Sequence, residues 1–594
     1  MQAAPAPPTN LPRKRLMIAI ASLLAILALA AWLRFSLIGY GLPLLLWEDE
    51  PIYLRRALNL GFGDWNPHYF KKPGFFLYFY YGWYWLAYQA GDWANWQAYV
   101  DAFRADPGAV TLLGRAVTAT MGVATVAMTF ALARRIGASL WASLAAAALM
   151  AIYSPHVKYS AIVASDAPAL LCLMACACSA VGYYQTGRWR DVLLCGAMAG
   201  LAVAFKYNFF TLALPLSAHG LRWLAPPAAS GLQAQADKIA SPRRFARLFD
   251  ARILACLAAA VVTFLALCPY TVLDFGAFWR DFDLERRHVL LRQAHDATRR
   301  FLPMAGFGKT FFHILPKALG WPLWAAGLLS LGLAGVRLWR ERLASPSWLI
   351  PLAFMAIFLL AASQFRLVNA KYLLPAAPFW MLLIALGLDS LRVATITRGR
   401  WPASLASLAM SLMLALLAWP MAADAAYFAR VHAKPDTRTL MNARLLARVA
   451  PRETVMVEPE ALPLGAPAFL RTPFLPAMRG KASFLPAPDA YTVRIHALAR
   501  SSWLVMRLKP RKTPDKRLTL PWSPAYYAQI AREFELVDAL TPFVSTRADR
   551  RALRQAATSN QALDQALLGQ YQTWERRKTP DERSGPILLL WRRR

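Results

Sequence analysis

Apolar positions in this chain gather into long blocks separated by short polar or basic stretches. Blocks such as Leu16–Ala31, Ile253–Cys268 and Ala403–Ala418 approach the ~20 residues that a helix needs to cross a bilayer core. The first block runs on into Trp32-Leu33-Arg34-Phe35. No small-residue cleavage pattern follows it, so a retained helix is expected rather than a removed signal. The pattern predicts about eleven spans, near 16–38, 111–133, 138–154, 162–185, 190–206, 208–225, 252–272, 317–337, 347–363, 371–391 and 402–422. No internal repeat suggests the inverted halves of many secondary transporters.

Orientation follows from Lys and Arg in short loops, which stay cytoplasmic. Arg13-Lys14-Arg15 places the N-terminus inside, so the first helix runs outward and residues 40–110 form an outer loop. Within that loop Phe75–Tyr88 is short and rich in Tyr and Trp, a composition suited to lying at headgroup depth. With that run interfacial, Arg134-Arg135, Arg188 and Arg190, Arg243, Arg244 and Arg247, Arg337, Arg340 and Arg342, and Arg392, Arg398 and Arg400 all fall inside. The expected fold is a polytopic α-helical membrane domain over 16–423, preceded by a cytoplasmic tail (1–15). An extracytoplasmic α/β domain (424–594) follows, its ~170 residues enough for one domain. There Thr454–Val457 and Ser502–Met506 read as short buried strands, while 436–449 and 525–536 carry helical spacing.

Composition supports the same class. Hydrophobic residues make up 57% and charged residues 17% of 594 positions, against roughly 45–50% and 25% in soluble domains. The net charge of +34 would suggest nucleic acid in a soluble protein. Here loop retention and anionic headgroups account for it, and nucleic acid is not an expected partner. All six cysteines (172, 176, 178, 195, 256 and 268) lie in apolar segments, where small core residues are expected and neither a metal site nor a disulfide framework is.

Chemistry-bearing residues collect in the predicted outer loops. Glu48-Asp49-Glu50 precede Pro51; one acid there suits a helix N-cap, which leaves the others to be explained. His156 and Asp166 sit in the next outer segment, and capping explains Asp166 as well as function does. Lys206, in the turn of an apolar hairpin, either snorkels or holds an anionic group. The loop 274–308, rich in Arg, is either a phosphate binder or a solvated amphipathic helix. Arg366 and Lys371 put further cations at the outer end of the tenth helix. Acids and cations meeting at one face suit an enzyme that needs a general base and a clamp for a phosphorylated, lipid-borne substrate.

In order along the chain stand Asp49-Glu50-Pro51-Ile52-Tyr53, Gly63-Asp64-Trp65, Pro67 and Lys72-Pro73. Then come Ser165-Asp166-Ala167-Pro168, Gly200-Leu201-Ala202 leading to Lys206-Tyr207, and Arg366 leading to Lys371-Tyr372-Leu373-Leu374-Pro375. Over roughly 12–420 this series resembles the GT-C superfamily of polyprenyl-phosphate-sugar glycosyltransferases, and within it the family-39, aminoarabinose-transferase-like and protein O-mannosyltransferase-like branches. The resemblance implies a multi-pass enzyme of the bacterial inner membrane that moves a sugar from a polyprenyl phosphate to a hydroxyl of a glycan, lipid or protein on the periplasmic side, with inversion. It makes Asp49 the general base, with Glu50 and Asp166 as further catalytic acids. Lys72 becomes the phosphate partner, supported by Lys206, Arg366 and Lys371, and Tyr53, Asp64 and His156 are further candidates.

Two departures narrow this. Relatives often read Glu-Lys-Pro-Pro where this chain has Lys71-Lys72-Pro73-Gly74. The missing Glu is a potential metal ligand in the aminoarabinose branch, which argues against a bound divalent metal. Ile52 stands where that branch sometimes has Arg, so aminoarabinose is not the implied sugar. A protein O-mannosyltransferase is the alternative enzyme, although no repeat-type carbohydrate-binding module is evident near the C-terminus. A transporter or flippase of lipid-linked sugars is the alternative of another class; it would place its charges near mid-bilayer rather than at helix ends.

Overall fold

The computed structural model describes residues 13–47, 49–224, 250–290, 308–341, 346–363 and 370–450. Beyond these it describes 453, 455–457, 502–508, 511–512, 518–519, 529–530, 532–542, 583–584 and 586–594. The chain divides into two units. The first comprises Met1–Ile38, Asp49–Ala102 and Ala109–Ala426; the second comprises Gly39–Glu48, Phe103–Gly108 and Tyr427–Arg594.

The first unit is helical. Its early helices are α1 (Arg13–Phe35), α2 (Glu50–Asn59), α3 (Gly74–Ala90), α4 (Trp96–Ala105) and α5 (Gly108–Arg135). They continue as α6 (Leu140–Ala151), α7 (Ser154–Ser160), α8 (Asp166–Thr186), α9 (Trp189–Phe205) and α10 (Ala213–Leu224). Further helices cover Ala251–Leu267, Tyr270–Leu273, Phe275–Leu290, Trp321–Glu341, Leu349–Ala362, Ala377–Thr397 and Ala403–His432. Helix is found at each of the eleven segments expected to span. Among the described residues, however, five helices are long and apolar enough to cross a membrane, or six if the bent pair α6–α7 counts as one. The others are cut short; α9, for example, stops at Phe205 just before a lysine.

α8 is the central post, buried along nearly its whole length. It turns at Gly187, whose φ of 62° closes the helix in the left-handed region that glycine adopts without strain. α9 then runs back beside it. Glycines on α9 let the next helix close in: a Cβ on Gly196 would strike the Cys256 carbonyl, and one on Gly200 that of Ala260. This small-residue spacing is a common way for helices to pack in membranes, where contact and not water exclusion drives association.

The hairpin sorts charge by end. At 1.5 Å per residue α8 is about 30 Å long. Asp166 and Lys206 meet at one end of it. At the other, Arg222 donates to the Tyr184 carbonyl, Arg252 to that of Gly187, and Arg135 pairs with Asp191. Arg135, from an expected cytoplasmic loop, and Arg222 and Arg252, near the ends of expected spans, thus assemble around the Gly187 turn, about a helix length from Asp166. α3, the aromatic run, is a 17-residue helix whose rings contact Phe205 at the end of α9, while Tyr80 bonds Thr118 of α5 at 2.5 Å.

The second unit holds a four-stranded sheet of order β1-β2-β6-β5, formed by Val455–Val457 (β1), Trp503–Leu508 (β2), Phe534–Leu540 (β5) and Ile587–Arg593 (β6). β1 and β2 are parallel; β6 is antiparallel to both β2 and β5. A separate two-stranded ladder joins Arg511–Lys512 (β3) and Leu518–Thr519 (β4). Met441 and Leu445, from the helix Thr437–Arg448, complete a core with Val455, Trp503, Val505 and Leu588. Two expected strands and the 436–449 helix are found. The helical expectation for 525–536 is corrected at its C-terminal end. The described residues are helical at 529–530 and 532–533 only, and strand begins at Phe534, where pairing with β6 overrides local spacing.

Candidate active site

Pro51 in the first turn sets the start of α2, and Asp49 stands at its N-cap. The Asp49 backbone carbonyl accepts the Ile52 and Tyr53 amides, but its side chain makes no cap bond. Its carboxylate is 59% exposed and lies 3.7 Å from Lys371 Nζ.

One residue on, the helix turns Glu50 inward. Glu50 is fully buried, with Oε1 2.8 Å from Arg115 Nε and Oε2 2.5 Å from Arg115 Nη2. It also accepts the Val163 amide at 2.9 Å, while Arg115 reaches the Ile38 carbonyl at 2.6 Å. A bidentate, fully desolvated pair of this kind joins α2, α5 and the 161–165 turn, and leaves Glu50 no face toward a ligand. Glu48 lies outside the described residues.

Asp166 is the first residue of α8. Its Oδ1 accepts from Lys206 Nζ at 2.6 Å, with the carboxylate 3% and the lysine 22% exposed. Lys206 therefore neither snorkels nor stands alone. Lys371 and Lys72 lie within electrostatic reach of this pair. Lys371 also sits over the Tyr159 ring at 5.4 Å, and Lys206 over Tyr372 at 5.9 Å.

Lys72 donates to Glu285 Oε1 at 2.7 Å. Glu285 belongs to the helix Phe275–Leu290, so half of the long loop is a structured element; residues 291–307 lie outside the described residues. Tyr53 is buried against Tyr69 and Phe76. Burial, and then the charges of Asp49, Asp166 and Glu285, push its phenol up, so it stays protonated.

Asp49, Tyr53, Lys72, Asp166, Lys206 and Lys371 therefore form one cluster. Glu285, Tyr69, Tyr159 and Tyr372 belong to it too; Glu285 was not singled out from sequence because it arrives from a distant element. Other candidates lie elsewhere. Asp64 is exposed, and a hydrogen bond from His68 at 2.8 Å holds its carboxyl below the usual range. Gly63, with φ 95°, makes the turn before it. His156 is buried against Arg34, whose Nη2 donates to Nδ1 at 2.7 Å; since guanidinium only donates, the histidine proton sits on Nε2. Arg366 lies outside the described residues. Among the described residues no three His, Cys, Asp or Glu side chains converge on a point that could hold a metal ion.

Comparison with known proteins adds the family context. Residues 108–225 match the model of the dolichyl-phosphate-mannose-protein mannosyltransferase family. No curated protein matches the sequence at a significant level. Among solved structures, the apo oligosaccharyltransferase of Archaeoglobus fulgidus aligns with TM-score 0.51 at 13% identity, over 97% of this chain and 88% of that one. ArnT from Cupriavidus metallidurans bound to undecaprenyl phosphate aligns with TM-score 0.44 at 16% identity, over 89% and 97%. The S. cerevisiae Pmt1-Pmt2 complex bound to the sugar donor aligns with TM-score 0.32 at 18% identity, over 44% and 34%. Residues 108–225 thus resemble a mannosyltransferase family, and the fold along most of the chain is that of the archaeal oligosaccharyltransferase.

Proposed function

We propose that this protein transfers a sugar from a polyprenyl-phosphate donor to a hydroxyl acceptor at the extracytoplasmic face of a bacterial inner membrane. The observation that carries the reading is Asp49: a carboxylate at a helix start, unused as a cap, solvent-facing, and set beside a cluster of three lysines. The family match, to enzymes described by a dolichyl-phosphate-mannose donor, supports a lipid-phosphate sugar.

The chemistry follows from the charges. The Asp49 carboxylate takes the acceptor hydroxyl proton as that oxygen bonds to the anomeric carbon. The bond from that carbon to the phosphate oxygen breaks, and its electron pair leaves on the phosphate. Attack from the opposite face inverts the centre and needs one base and no enzyme nucleophile. Lys371 and Lys72 offset the charge that develops on the leaving phosphate. Asp166 holds Lys206 and, through it, the positive side of the site. Glu50 acts as scaffold, positioning Asp49 by fixing the first turn of α2.

The test compares surface glycans and lipids from wild-type and Asp49→Asn cells by mass spectrometry. Loss of one sugar only in the mutant is expected. An unchanged profile, with the protein made and inserted, would remove Asp49 as the base. A protein O-mannosyltransferase is the second reading, favoured by the description of the matched family; mannose missing from proteins rather than from lipid or glycan would select it.

A further inference from the structure

Each lysine of the cluster already has a carboxylate: Lys371 has Asp49, Lys206 has Asp166, and Lys72 has Glu285. A phosphate that binds one of them competes with its acid for the lysine's charge. The pairs differ in how they are built. Asp166 is buried in the bundle, and Asp49 stands beyond hydrogen-bond range of its lysine. Glu285 makes a close bond yet comes from a helix at the rim, with 26% of its side chain exposed.

The geometry points to Glu285 as a resident stand-in for phosphate on Lys72, one that sets donor affinity by exchanging with it. The inference rests on the lipid-phosphate reading above. On the helix Phe275–Leu290, the residues Phe278, Asp281 and Glu285 fall at i, i+3 and i+7 and share a face. Phe278 meets Phe70, Asp281 accepts the Phe70 amide at 3.0 Å, and Glu285 takes the Lys72 ammonium. Two anchors of the helix are thus independent of the lysine, so Glu285 can let go while the helix stays docked on residues 70–72. Phe275, Trp279 and Leu284 of the same helix are exposed, as suits an element next to an arriving lipid. A carboxylate brings one negative charge, and a phosphate monoester leaving group brings up to two, so the exchange favours phosphate as the sugar departs.

The experiment measures binding of undecaprenyl phosphate to the full chain in nanodiscs. Glu285→Gln is expected to bind about three- to ten-fold tighter than wild type, and the Glu285→Gln/Lys72→Gln double variant is expected to lose that gain. Asp281→Asn, which loosens the helix but leaves the charge pair, is expected to show no gain. Equal or weaker binding by Glu285→Gln overturns the exchange, and so does an equal gain in Asp281→Asn. Absence of binding in wild type and all variants instead takes down the lipid-phosphate reading, and the exchange with it.

Discussion

Lys371 Nζ lies 3.7 Å from Asp49 Oδ2, beyond hydrogen-bonding distance but close enough for its charge to act on the proposed base and on anything bound there. Lys371→Met is therefore expected to lower kcat/KM for sugar transfer by about 10²-fold, the usual scale for removing one charge-stabilising donor. A variant that keeps wild-type kcat/KM would take Lys371 out of the reaction. Thermal melting should barely move, since the lysine is partly exposed and its pairing loose.

Glu50 and Arg115 form a fully buried pair, and here the expectation is about stability. Glu50→Gln or Arg115→Met each leaves a buried group uncompensated and is expected to cost about 3–5 kcal/mol. Detergent-purified protein should show a lower melting temperature or a reduced yield. The double variant Glu50→Gln/Arg115→Met should recover part of the loss. A single variant that melts like wild type but is inactive would make Glu50 a chemical participant rather than a scaffold.

Gly200 tests the packing of α9. Any side chain there meets the Ala260 carbonyl, so the backbones must part. Gly200→Leu is expected to destabilise by roughly 1–3 kcal/mol through overpacking, whereas Gly220, with open space around its Cβ position, should tolerate alanine. Melting temperatures of the two variants side by side decide the matter.

Asp538 offers a pH test in the second unit. Burial raises its carboxyl, but hydrogen bonds and charge from Arg448 and Arg444 outweigh this and hold it below the usual range. A carboxyl with a lowered folded-state value stabilises fully above its unfolded value, near ~3.9, and that contribution fades as pH falls through the folded value. Acid unfolding of the unit should therefore be steeper in wild type than in Asp538→Asn, and the two should differ most near neutral pH. Parallel melting-temperature curves from pH 7 to pH 3 would contradict the assignment.

What sequence reading reached, and what it missed, follows the range of the interactions involved. Apolar blocks announce helices locally, so the helix positions were legible; how far each helix runs depends on neighbours and was not. Asp49 and Glu50 are adjacent acids with the same local credentials. What separates them is Arg115, 65 positions away from Glu50. The available signal was an arginine inside an otherwise apolar block, which demands a buried partner. Lys72 was legible from its Lys-Pro motif, but its acid, Glu285, is 213 positions on. In the second unit the helical reading of 525–536 ran too far, into Phe534–Leu536, because a short apolar run fits helix and strand alike until its partner strand is known.

The one-to-one matching of lysines and carboxylates has a consequence for ligand choice. Among the described residues, each of the three lysines is matched by a carboxylate, which offsets its charge. Dissolved phosphate, nucleotides and other small anions therefore meet no electrostatic sink, and opening a pair for them returns little. A phosphate tethered to a long apolar chain arrives with burial of that chain as a second source of binding free energy. On this account, a balanced site in a basic protein is a filter: it stays closed to ordinary anions and opens to a phosphate held at the bilayer by its own tail.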